Sequence, residues 1–159
     1  MIHLREVRLS DVDMIYQWAN DPLTRQNSFN SDKIKYDEHV QWFNRMLNRN
    51  DVKMYILMED NKPVGQIRLN INDTNAEISY SIASDFRGMG YGRKIVSLVV
   101  DEIKMNIPEV LTVSAQVKPG NSASKSIFEK EGFAMKSVCY ELALENTGGE
   151  TVRKLPSSK

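Results

Sequence analysis

Arg87-Gly88-Met89-Gly90-Tyr91-Gly92 is a run of residues suited to holding a phosphate. It lies between a strand-like segment, 76–83, and a helical one, 91–105. A glycine-rich turn that opens a helix exposes backbone N–H groups with no intrahelical partner, and the helix dipole adds a positive end. Gly88, Gly90 and Gly92 let the backbone approach an anion and take dihedrals that other residues resist. Arg87 adds a forked, charged donor at the mouth. Three groups near this loop or upstream of it can handle protons. They are the Glu77 carboxylate, the Tyr80 phenol and the His39 imidazole, whose reference pKa lies near neutrality.

The familiar phosphate fingerprints are absent. G-x-G-x-x-G would need a glycine where Arg93 stands, and no G-x-x-x-x-G-K-[ST] occurs. Taken alone, the glycines fit a plain tight turn equally well. The loop does match [QR]-x-x-G-x-[GA], and a second motif follows at Asn121-Ser122-Ala123-Ser124-Lys125-Ser126-Ile127-Phe128-Glu129-Lys130-Glu131-Gly132-Phe133. An alternating strand, 110–117, precedes it and Pro119-Gly120 breaks that strand. Asn121 suits a helix N-cap, Ala123, Ile127 and Phe128 mark one apolar face, and Gly132 fits a helix stop.

The elements that must position these motifs follow from periodicity and punctuation. Residues 2–8 read as a strand. Ser10 can cap a helix over 11–20, which Asp21-Pro22 ends. Residues 23–35 are polar and irregular, and a second helix covers 36–48 with Val40, Phe43 and Leu47 at helical spacing. Strands are expected at 54–58, 63–71 and 76–83, and a last hairpin at 133–145 and 150–154, turned at Asn146-Thr147-Gly148-Gly149. The order βααβββαβαββ predicts an α/β fold. Its mixed, mostly antiparallel sheet would have about seven strands, with helices on both faces.

The two motifs, in this order and spacing, resemble the Gcn5-related N-acetyltransferase (GNAT) family, and the likeness spans nearly the whole chain, as does the element order. Members hold acetyl-coenzyme A and an amine together, so that the neutral amine attacks the thioester, and much of the gain is positioning. The resemblance assigns Arg87, Gly88, Met89, Gly90, Tyr91 and Gly92 to the coenzyme pyrophosphate. It assigns the main chain of Tyr80, Ser81 and Ile82 to the pantetheine arm, with an N–H for the thioester oxygen. Asn121 would touch the coenzyme near that arm, although a plain helix cap explains it too. Lys125 can reach a coenzyme phosphate or stand solvated.

Two positions depart from the family pattern. Many members carry a tyrosine acid seven residues after the asparagine, where this chain has Phe128. Some protein-acetylating members carry a glutamate base five residues before it, where this chain has Gln116. Glu77 is the candidate base and Tyr80 a further candidate for proton handling. An exposed carboxylate at a strand edge is the plainer account of Glu77.

Weak acid–base equipment favours a less basic amine. A lysine amine titrates near ~10.4, so about one in 10³ is neutral at pH 7. An amine on a sugar carbon sits beside oxygens and needs less help. A finer likeness points the same way. Trp18-Ala19-Asn20-Asp21-Pro22, Asn27-Ser28-Phe29-Asn30-Ser31, Glu38-His39-Val40-Gln41-Trp42-Phe43 and Gly65-Gln66-Ile67-Arg68 resemble acetyltransferases of bacterial nucleotide-sugar pathways. Those enzymes acetylate a 4-amino group during synthesis of pseudaminic acid and related sugars. The likeness implies that Arg25, Asn27, Ser28, His39 and Trp42 line the acceptor pocket, with Arg25 on a nucleotide phosphate and Trp42 stacked on a ring. Core packing for Trp42 and a surface charge for Arg25 are the ordinary alternatives. A protein N-terminal acetyltransferase of the ribosomal-protein type is the second reading, and a non-catalytic acetyl-coenzyme A-binding module the third.

Composition bounds the rest. The 159 residues suit one domain, 1–159. Lysine plus arginine equals aspartate plus glutamate, at 21 each, which gives no electrostatic case for nucleic acid or a membrane surface. Cys139 is alone, so no intrachain disulfide and no cysteine metal motif is expected, and it reads as a small hydrophobe in a strand. The first residues lack a signal-peptide core and no apolar run reaches spanning length, so a cytoplasmic location is the expectation. No metal is implied. The partner is a small-molecule amine, and the oligomeric state is open, a homodimer included.

Overall fold

A computed structural model describes residues 1–145 of the chain. Five strands form one sheet in sequence order: β1 (Ile2–Glu6), β2 (Val52–Glu59), β3 (Lys62–Asn72), β4 (Asn75–Ile82) and β5 (Thr112–Ser114). The first three pairings are antiparallel and β4–β5 is parallel. Five α-helices accompany them: α1 (Val12–Ala19), α2 (Pro22–Gln26), α3 (Tyr36–Leu47), α4 (Tyr91–Asn106) and α5 (Ser122–Lys130). The class is the expected mixed, mostly antiparallel α/β sheet, with five strands among the described residues rather than about seven.

Register decides what each face of the sheet carries. Residues opposite one another on paired strands share a face. Tyr55, Ile67 and Tyr80 line up across β2, β3 and β4, as do Lys53, Leu69 and Ile78. Most of this face is apolar, and it packs with Ile95, Val96 and Val99 of α4 and Phe128 of α5. The other face is divided. On β2 it carries Val52, Met54 and Ile56, buried against Ile15 of α1 and Phe43 of α3. Opposite those residues, β3 carries Asn70, Arg68 and Gln66, and β4 carries Glu77, Ser79 and Ser81. Half of one sheet face is therefore polar.

Several local expectations change. Asp21-Pro22 ends α1 and also begins α2, within a stretch expected to be irregular. Proline suits the first helical turn, and the Asp21 carboxylate accepts from the Thr24 N–H at 3.1 Å as a cap. Ser10 is not a cap but lies in a short 3-10 turn, Leu9–Asp11. The strand expected over 110–117 shrinks to Thr112–Ser114. Residues 133–145, expected as the first arm of a hairpin, form no strand, and 134–145 are exposed. The second arm, 150–154, lies outside the described residues. Cys139 is exposed and free rather than packed in a strand.

The start of α1 is tied to β1 by a bidentate ion pair. Arg5 Nη1 and Nη2 donate to the two Asp11 oxygens at 2.8 and 2.9 Å, and the Arg8 N–H donates to Asp11 Oδ2 at 2.7 Å. The Arg5 hydrogen bond holds the Asp11 carboxyl below its ordinary pKa, against the opposing effect of burial. A depressed folded pKa means stability present above the unfolded value, ~3.9, and lost as pH falls through the folded value. Asp11→Asn should cost about 1–3 kcal/mol near pH 7. Thermal unfolding should show the gap from wild type closing well below pH 4.

Candidate active site

The sheet opens where the coenzyme is expected. β4 and β5 pair from Asn75↔Thr112 to Glu77↔Ser114 and then part. The Ala83 N–H donates to the Val64 oxygen at 2.9 Å. Antiparallel alternation then turns the Ser81 and Ser79 peptide groups toward β3 and those of Ile78, Tyr80 and Ile82 outward. Beyond Glu77 no described strand meets that outer edge. Tyr80 thus offers its main-chain N–H and oxygen, and Ile82 its N–H with an oxygen that also accepts from Arg87 Nε, at a strand spacing that fits an amide-bearing arm such as pantetheine. Ser81, expected in the same role, has its peptide groups on the β3 side.

The loop that follows fits a pyrophosphate. Gly90 is the N-cap of α4 with φ 86°, and Gly88 has φ 75°, both left-handed. A Cβ at either glycine would meet nothing within 4 Å, so the cradle is open on that side. Main-chain N–H groups at Tyr91, Gly92 and Arg93 begin α4 and have no intrahelical acceptor. Gly92 serves a different purpose. A Cβ there would stand 2.7 Å from Ile127 Cδ1, so its absence lets α4 approach α5. Met89 is exposed and the Tyr91 hydroxyl donates to Glu59 at 3.2 Å, leaving their main chain to the loop.

Arg87 is held rather than held out. Its Nη2 donates to Asp21 Oδ2 at 2.6 Å and to Thr24 Oγ1 at 3.2 Å, and its Nε donates to the Ile82 oxygen at 3.2 Å. The guanidinium joins the coenzyme loop to α2. Asn121 caps α5, accepting from the Ser124 N–H at 3.1 Å, and Lys125 is exposed one turn further on. The Tyr80 hydroxyl lies 2.9 Å from Ser124 Oγ, with its ring edge-on to Phe128. Burial raises its pKa, and the Ser124 hydrogen bond opposes that.

Glu77 lies on the opposite face from Tyr80, three residues away on one strand. The two expected proton handlers do not share a site. Glu77 is half-buried and accepts from Gln116 Nε2 at 3.0 Å. The position where some relatives carry a base thus holds a donor that orients a carboxylate on the neighbouring strand.

Around Glu77 stand Arg68, Asn70 and Ser79, with Trp42 of α3 beyond. Arg68 Nε donates to Asn70 Oδ1 at 3.1 Å, and its guanidinium lies 5.2 Å from the Trp42 ring centre. The remaining expected acceptor residues behave differently. Arg25 spends its donors on its own loop: the carbonyls of Ala19 (2.6 Å), Asn30 (2.9 Å) and Asp32 (3.2 Å), and Ser28 Oγ (3.1 Å). Ser28 in turn donates to the Thr24 carbonyl at 2.6 Å, and half-buried Asn27 closes α2. His39 is 2 % exposed, and its Nε2 donates to the Val12 carbonyl at 3.0 Å. Burial lowers its pKa, so it is a neutral bolt between α3 and α1. Of the five, Trp42 alone adjoins the polar half-face.

Arg68 and Asn70, which share this polar half-face with Glu77, were not among the residues expected from the sequence. The signal was present in Gln66-Ile67-Arg68-Leu69-Asn70-Ile71, a strict polar–apolar alternation on a strand with neighbours on both edges. A polar stripe there is either covered by partners or facing a cleft.

Comparison with known proteins places this geometry. Among solved structures, a spermidine N-acetyltransferase from Vibrio cholerae, in complex with CoA and spermine, superposes with a TM-score of 0.81 at 20% identity, covering 91% of this chain and 88% of that one. A domain from Methanocaldococcus jannaschii gives 0.77 at 27% identity, covering 89% and 93%. AAC(6')-Ib in complex with ribostamycin and coenzyme A gives 0.76 at 21% identity, covering 85% and 84%. No curated protein matches the chain. The family model described as acetyltransferase (GNAT) domain matches residues 2–134, most of the chain, with the open β4 edge and the glycine loop inside it. The chain belongs to the GNAT family and is an acetyl-coenzyme A-dependent N-acetyltransferase.

Proposed function

We propose that this enzyme acetylates the primary amine of a nucleotide-linked amino sugar. The observation that carries the reading is the polar half-face of Gln66, Arg68, Asn70, Glu77 and Ser79, which adjoins the open β4 edge. The likeness of the segments around Trp18, Asn27, His39 and Gly65 to nucleotide-sugar enzymes supports it. Bound acetyl-coenzyme A supplies the activated acetyl group. The outer peptide groups of Tyr80 and Ile82 hold its arm, and the α4 N-terminus with Gly88 and Gly90 holds its phosphates. Glu77, oriented by Gln116, takes the ammonium proton. Phe128 has no proton to give, and this reading asks for none from α5.

Spermidine and aminoglycosides are polycations, and Arg68 beside the cleft disfavours them. Turnover of acetyl-coenzyme A with four amine types tests the reading: a nucleotide 4-amino sugar, spermidine, kanamycin and a peptide with a free N-terminus. The nucleotide sugar should be preferred by at least tenfold in kcat/KM. Turnover of peptides alone would replace it with N-terminal protein acetylation, and turnover of spermidine alone would replace it with polyamine acetylation.

A further inference from the structure

Arg68 is a charged side chain that no carboxylate touches directly among the described residues. It stands on a central strand, flanked by Met54 on β2 and Ser79 on β4. Its one hydrogen bond among the described residues runs from Nε to Asn70, and no described carboxylate lies within ion-pair distance. The Trp42 ring covers one side of the guanidinium, and burial holds its pKa below the ordinary value, against the opposing pull of the Glu77 carboxylate nearby. Half-buried charges are ordinarily paired, because desolvation without a partner is costly. A guanidinium also presents two parallel N–H donors that match a carboxylate or phosphate in bidentate fashion. With Nε on Asn70, both terminal nitrogens remain for such a group.

Glu77 fixes the other end. Arg68 faces Ser79 and Asn70 faces Glu77, so Arg68 and Glu77 are diagonal neighbours on one face. Diagonal neighbours on an antiparallel pair stand roughly 7–8 Å apart. A ligand whose amine meets Glu77 therefore has its anion, if it meets Arg68, only a few bonds away.

We infer that Arg68 is a specificity residue that reads a carboxylate or phosphate carried close to the acceptor amine, with Trp42 holding the guanidinium in place. The inference rests on the acceptor cleft lying on this face, as proposed above. It goes further in assigning the anion contact to Arg68 rather than Arg25 and in setting the spacing between anion and amine.

Matched amines test it: O-phosphoethanolamine against ethanolamine, and glycine against glycinamide, each with wild type, Arg68→Met and Arg68→Lys. In wild type the anionic member of at least one pair should be preferred by tenfold or more in kcat/KM. The pair that shows the preference tells phosphate from carboxylate. Arg68→Met should bring that ratio near one through KM, and Arg68→Lys should restore part of it. An unchanged ratio in Arg68→Met, or equal losses on both members, overturns the inference. Should none of these amines turn over, calorimetry of inorganic phosphate with the coenzyme A-saturated protein decides. Binding that Arg68→Met weakens at least tenfold supports the inference, and absent or unchanged binding overturns it. Circular dichroism checks that both variants are folded. A nucleotide amino sugar assayed alongside keeps the two readings apart. Its failure with an Arg68-dependent preference elsewhere removes the sugar and leaves the anion contact.

Discussion

Glu77→Gln is expected to lower kcat by about 10²-fold at neutral pH while sparing coenzyme binding. The side chain is half-buried, belongs to the last β4–β5 pair, and already accepts from Gln116. Glutamine keeps the shape and removes the ability to take a proton. The Gln116 contact survives if the new amide presents its oxygen, so the loss should be chemical rather than structural. It should shrink as pH rises, because the amine then loses its proton unaided. An acetyl-transfer assay across pH 6–10 reads both features. A variant at full speed at neutral pH would move the role to solvent or to the acceptor's own basicity.

Gly90→Val should weaken acetyl-coenzyme A binding by at least tenfold, equivalent to about 1.4 kcal/mol. Gly90 holds φ 86°, where a β-branched residue is strongly disfavoured. Its Cβ would meet no protein atom within 4 Å, so the strain lies in the backbone rather than in a clash. The branched group would point into the cradle and tilt the first amides of α4. Calorimetry on the folded variant measures the effect, and unchanged affinity would remove this loop from the coenzyme site. Gly92→Ala is a useful contrast, since its added carbon meets Ile127 instead.

The backbone of the expected coenzyme loop was largely legible from sequence. A glycine loop between a strand and a helix needs left-handed backbone, and Gly88 and Gly90 have it. Asn121 and Gly132 mark the ends of α5 as their residue types suggest. The surroundings of the other candidate side chains were not, for a physical reason. Arg25, His39 and Arg87 look like exposed donors in a linear reading, yet Arg25 is used up by its own loop, and His39 and Arg87 by a carbonyl and a carboxylate far along the chain. Arg87 meets Asp21, 66 residues away, and His39 meets Val12, 27 residues away. Such partners depend on tertiary packing that no local pattern encodes. Conversely, Arg68 gains its meaning from register, which places it diagonal to Glu77. The short helix α2 was hidden because Asp21-Pro22 signals an end and a beginning with the same two residues.

Asp21 carries a further consequence. One carboxylate caps α2 and also holds Arg87, whose Nε in turn grips the end of β4. At the other end of α2, Lys118 Nζ donates to the Gln26 carbonyl at 3.0 Å, tying the helix to the loop beyond β5. α2 is thus fastened to both banks of the gap between β4 and β5. A ligand that shifted either bank would pull on the other through α2. Linkage makes such an effect mutual: whatever factor the coenzyme gains from the acceptor, the acceptor gains from the coenzyme. Cutting the Asp21 tether would leave the Lys118 bond holding α2 to one bank alone.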